Sequence, residues 1–159
     1  MRAGMAALDD LDLETLDFGS VQPAEFARIV KALPTRRIAE LMGGPQRRRV
    51  LDEVFHRMHT LFNPGAAGSR DALIRWRISD GADGGEVYET HIANGACTVT
   101  DGETGRSAQL SLTMAAPEFM KLVSGNASGP MLFFTGKLKA KGDIRLAGSL
   151  TYLFDIPKP

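Results

Sequence analysis

Between residues 108 and 143 the hydrophobic period of the chain switches from that of a strand to that of a helix and back, which fixes three elements in a set order. Ala108-Gln109-Leu110-Ser111-Leu112-Thr113-Met114 alternates apolar with polar side chains and reads as a strand with one buried face. Pro117-Glu118-Phe119-Met120-Lys121-Leu122-Val123-Ser124 reads as an amphipathic helix, closed by Gly125. Gly129-Pro130-Met131-Leu132-Phe133-Phe134 then forms a short oily turn or helix, and Gly136 lets the chain turn sharply into a last strand, Lys137 to Lys141. This stretch carries much apolar surface and almost no reactive chemistry, so it has to be buried against something.

The string Phe134-Thr135-Gly136-Lys137-Leu138-Lys139-Ala140-Lys141-Gly142-Asp143, with the order of the pieces before it, closely resembles the sterol carrier protein type 2 family of lipid-binding domains. The resemblance runs from about Leu51 to Phe154. It implies an α+β fold: a single five-stranded, mainly antiparallel sheet, covered on one face by helices and enclosing an apolar tunnel for a lipid tail or sterol. Carried over position by position, it makes Phe119, Leu122, Val123, Met131, Phe134, Leu150 and Phe154 the candidate lining, with Ile74, Trp76 and Tyr88 below. Gly136 and Lys137 match the family signature and are expected to be structural. The chain departs from the family at Ala115, where Ser or Thr usually caps the following helix. That loss is worth about 1 kcal/mol and is partly offset by Pro117 and Glu118.

Residues 1–20 are acidic (Asp9, Asp10, Asp12, Glu14, Asp17) and weakly periodic, the mark of a poorly ordered leader. Residues 21–45 form a helical extension, outside the family pattern. Phe26, Ile29, Val30 and Leu33 recur at helical spacing after Pro23, Pro34 stops that helix, and a second runs from Thr35 to Met42 before Gly43-Gly44-Pro45. The lipid-binding domain occupies residues 46–156. Its first helix, from about Gln46 to Phe62, gathers Val50, Leu51, Val54, Phe55, Met58, Leu61 and Phe62 on one stripe and ends at Asn63-Pro64-Gly65. Ile74, Trp76 and Ile78 alternate with Arg75 and Arg77. After a turn at residues 80–85, Tyr88, Thr90 and Ile92 alternate with Glu89 and His91. Asn94-Gly95 signals a tight hairpin, and Asp101 to Gly105 is expected to reverse the chain again into a strand at 107 to 114. Four hairpin-linked strands with one open face follow from this reading. The segment from Ile144 to Phe154 fits both periods, and the resemblance favours a helix despite Gly148.

The remaining chemistry is sparse. Glu53, His56 and His59 have a spacing that could serve a metal, but they lie on the polar side of their helix with no second cluster to complete a site, so a solvated face is preferred. His91 with Glu89 could act as acid and base only if their strand face lined a cleft, and no nucleophile elbow accompanies them. Cys97, the single cysteine, alternates inward with Val99 as an inert apolar side chain. Neither cofactor nor metal is expected. Formal net charge is 0 over 159 residues, which announces no polyanionic partner. Arg36, Arg37, Arg47, Arg48 and Arg49 lack the interleaved aromatics of a nucleic-acid surface, so no nucleic acid is expected. Arg47, Arg48 and Arg49 are instead candidates for transient contact with an anionic membrane surface. One cysteine, no signal-like start and no membrane-length apolar run make the cytoplasm the expected compartment.

The expected function is non-enzymatic binding, and transfer, of a lipid: fatty acid, fatty acyl-CoA, sterol or phospholipid. Each buried methylene contributes about 0.8 kcal/mol, so a hydrocarbon tail alone supplies useful affinity with loose selectivity. The alternative is an interaction or dimerisation module on the same scaffold with no lipid, in which the oily face meets another protein or a second copy; whether the tunnel is open or plugged by the N-terminal helices is left open by the sequence. Monomer and homodimer are both compatible with the sequence.

Overall fold

A computed structural model describes residues 22–79 and 85–156. The leader at 1–20, all but Gly85 of the turn expected over 80–85, and the last residues, 157–159, lie outside the described residues. The extension is helical as read: α1 spans Pro23–Ala32 and α2 spans Thr35–Met42. Leu33 between them is extended, the conformation a following proline imposes. Helix α3 (Arg47–Leu61) buries Val50, Leu51, Val54, Phe55 and Met58 and leaves His56 and His59 in solvent. Asn63 then caps a single turn, α4 (Pro64–Ala67), by accepting from the Ala66 amide at 3.2 Å.

Five strands follow in one mixed sheet: β1 (Ala72–Ile78), β2 (Glu86–Ala93), β3 (Ala96–Asp101), β4 (Leu110–Met114) and β5 (Leu138–Gly142), in spatial order β3-β2-β1-β4-β5. The β2–β3 turn is the one the sequence signals, with Asn94 and Gly95 both at positive φ, 54° and 71°. The next reversal differs from expectation. Strand β3 stays at the edge, and β4 pairs with β1 in parallel, Ile74 opposite Leu110 and Ile78 opposite Met114. Only the β4–β5 and β1–β2–β3 pairings are antiparallel. A turn signal specifies a local change of direction; it does not choose the partner strand. The connection 102–109 folds instead over the helix-free face, where Thr104 donates to Glu89 and Arg75 donates to the Arg106 carbonyl. That face is therefore partly covered, not open.

Helix α5 (Ala116–Val123) starts at Ala115, which has N-cap geometry but gives no side-chain bond. Helix α6 (Gly129–Phe134) precedes β5, and α7 (Ile144–Leu153) closes the fold with Asp143 accepting from the Leu146 amide at 3.2 Å. The ambiguous last segment is thus helical. Its end is tied to the end of α3: the Asn63 amide donates to the Leu153 carbonyl at 2.8 Å, and the Asp155 amide to the Leu61 carbonyl at 2.7 Å.

Candidate functional site

The layer between sheet and helices is solid on one side and hollow on the other. Under β1 and β2 it is filled by rings. Phe55 of α3 stacks between Tyr88 and Phe119, with centroids 4.0 and 4.6 Å away, and Trp76 meets Phe55 and Phe119 edge-on. The Tyr88 hydroxyl donates to Asp52 at 2.5 Å, and Trp76 Nε1 to Thr90 at 3.0 Å, so the polar tips are satisfied.

Under β4 and β5 lies a cavity of about 380 Å³. Trp76, Leu112, Leu138 and Ala140 form its floor, while Val54, Met58 and Leu61 of α3 face Ala147 and Leu150 of α7 across it. Leu122 and Val123, at the end of α5, complete the wall with Phe154 and Ile156. Small residues leave the space: the inward position of β5 after Leu138 is Ala140, and α7 presents Ala147 and Gly148. A Cβ at Gly148 would meet no atom within 4 Å. Phe133, Phe134 and Ile144 line the mouth, with Phe134 83% exposed.

The ten residues proposed from the sequence divide accordingly. Trp76, Leu122, Val123, Phe134, Leu150 and Phe154 line the cavity. Tyr88 and Phe119 belong to the ring stack, and Ile74 is fully buried in β1 between Thr90 and Leu110. Met131 is 61% exposed on α6, outside the lining. Lining residues that the sequence reading left out of the site include Val54, Met58 and Leu61, already on the buried stripe of α3, and Leu112 and Leu138, already on the inner strand face. Phe26, on the apolar stripe of α1 in the extension, also lines the cavity, as does Arg57 of α3, the one charged residue in the wall among the described residues.

Chemistry elsewhere is spoken for. His91 pairs with Asp71 at 3.0 Å on the outer sheet face, and Glu89 beside it is held by Arg75 and Thr104. The two do not form an acid-base couple at a cleft. Among the described residues no group of three or more His, Cys, Asp and Glu side chains could hold a metal ion. Cys97 is half-buried, and desolvation pushes its thiol up to about 11. The three arginines of α3 are not equivalent. Arg47 turns inward, bonding Glu86 at 2.9 Å and the Met42 carbonyl at 3.1 Å, so its guanidinium cannot serve a membrane surface as the sequence reading supposed. Arg48 pairs with Asp52 and Asp101, and Arg49 reaches Gln46 and Glu53; both keep solvent access.

Fold and cavity together define an α+β lipid-binding domain. The model of the SCP-2 sterol transfer family matches residues 65–155, and the chain belongs to that family. Sterol carrier protein 2 from Yarrowia lipolytica, in its apo form, superposes with a TM-score of 0.52 at 24% identity, over 65% of this chain and 86% of that one. The stereoselective inverting sec-alkylsulfatase Pisa1 from Pseudomonas sp. gives 0.59 at 18% identity, over 69% of this chain and 17% of that one. Hydroxysteroid dehydrogenase-like protein 2 of Xenopus tropicalis is 31% identical over 97 residues, which are 61% of this chain and 23% of that protein. The chain thus spans under a quarter of that relative's length. Among the described residues, no helix is long and apolar enough to cross a membrane.

Proposed function

We propose that this protein holds a single-tailed lipid in the cavity under β4 and β5 and passes it on without chemical change. The observation that carries the reading is the wall itself: among the described residues that line it, only Arg57 is charged. Transfer of a tail into such a space is driven by about 0.8 kcal/mol per methylene. Among the described residues the cavity lining offers no nucleophile or acid-base pair, which supports a carrier over an enzyme, and a lone cysteine supports a cytoplasmic setting. Contact with anionic headgroups falls to Arg48 and Arg49.

Native mass spectrometry of the purified protein is expected to show a co-purified lipid, and Leu122→Trp is expected to cut the affinity for a fluorescent fatty acid at least tenfold while the circular dichroism spectrum is unchanged. Equal binding by this variant would place the guest elsewhere. The exposure of Phe133, Phe134 and Ile144 at the mouth favours a second reading, self-association through this apolar rim. Light scattering that gives a dimer, with no lipid in the mass spectrum, would support it.

A further inference from the structure

The cavity has a wall that the family match does not supply. Residues 65–155 carry the match, whereas Phe26 stands on α1, wholly in the extension. Its ring lines the cavity and is only 8% exposed, so it stands on the inner wall, unlike Phe134 at the mouth. Helix α1 is held there by specific bonds as well as by its apolar stripe. Asn126 donates to the Ala27 carbonyl at 3.0 Å and to Ser124 Oγ at 2.8 Å, and fully buried Ser124 donates to the Met120 carbonyl at 2.6 Å. Lys121 bonds Thr35 at the start of α2. The extension is thereby fixed to the end of α5, whose Leu122 and Val123 are themselves lining.

We propose that Phe26 sets the longest alkyl chain the cavity accepts, so that the helical extension determines ligand specificity in this protein. The inference rests on the lipid-binding reading. A ring at the inner wall stops a tail by occupying the volume into which its next methylene would go, and a guest that cannot shed that methylene from water gains nothing from carrying it.

The test uses the full chain and a homologous series of saturated fatty acids, from medium to very long chain, competing with a fluorescent fatty-acid probe. In the parent protein, affinity is expected to rise about fourfold per added methylene up to a limit and then level off. Phe26→Ala should move that limit to longer chains and continue the fourfold steps beyond it; Phe26→Trp should move it to shorter ones. Phe26→Leu, which keeps the apolar stripe of α1, should give an intermediate shift and covers the case in which the alanine variant does not fold. A shared limit in the parent, leucine and tryptophan proteins overturns the proposal while leaving lipid binding intact. Absence of probe binding in the parent overturns the lipid-binding reading instead, and this proposal with it.

Discussion

Glu89 is 1% exposed on the sheet face that carries no helix. Burial pushes its carboxyl up, but bonds from Thr104 Oγ1 at 2.7 Å, the Thr104 amide at 3.2 Å and Arg75 at 2.9 Å outweigh that, and the net shift is downward. A carboxylate held below its ordinary range contributes stability above the unfolded-state value and loses it as pH falls through the folded one. Glu89→Gln is therefore expected to cost about 2 kcal/mol at neutral pH, measured by urea unfolding, with the difference shrinking as the medium becomes acidic enough to protonate Glu89. A constant difference across that range would remove the ion pair from the explanation. Strand alternation places Glu89 on the sheet face opposite the helices, as found, but its burial is not legible because it depends on where a remote connection, 102–109, comes to rest. Cys97 presents the opposite case. Its inward alternation was readable, and with its thiol pushed up to about 11 it should react with iodoacetamide at neutral pH far more slowly than free cysteine. A rate equal to that of the free amino acid would show that desolvation does not govern it.

Helix ends follow from short-range rules, which is why most were readable. Pro34 and Pro64 punctuate the chain where the backbone changes course, and Asn63 and Asp143 cap helices by accepting amide protons. Ala115 does not, although its φ of −76° and ψ of 159° are right for the role. Ala115→Ser should therefore raise stability by about 1 kcal/mol, seen as a higher denaturation midpoint with an unchanged slope. No gain would mean that Pro117 and Glu118 already satisfy the start of α5. The parallel pairing of β4 with β1 is the element-scale feature that escaped the sequence. Gly102 and Gly105, at φ of 93° and 84°, bend the chain as expected, but the choice between the free edge of β3 and the flank of β1 is made by long-range burial of Leu110, Leu112 and Met114.

Over the molecule, the division between ring stack and void decides which apolar residues are structural and which are available to a guest. Sequence patterning identified the inner sheet face and the buried stripe of α3 but could not separate the two halves, because Tyr88 and Trp76 share one face of the sheet and differ only in what α3 and α5 place above them. A filled cavity should also stabilise the fold: at about a hundred times the dissociation constant a fatty acid adds about 2.7 kcal/mol, visible as a rise in melting temperature that Leu122→Trp abolishes. A parent melting temperature indifferent to fatty acid would argue against occupancy of the folded state.

The β1–β4 ladder has a consequence for assembly. Strands β1, β2 and β3 can zip together as soon as they are made, each beside its neighbour in the chain, whereas β4 and β5 must wait for a longer loop to close before they join. Trp76 belongs to the early half, and Leu112, Leu138 and Ala140 to the late one. The chamber thus has no floor until the seam is sewn, and the capacity to take up a guest should be the last property a refolding molecule regains.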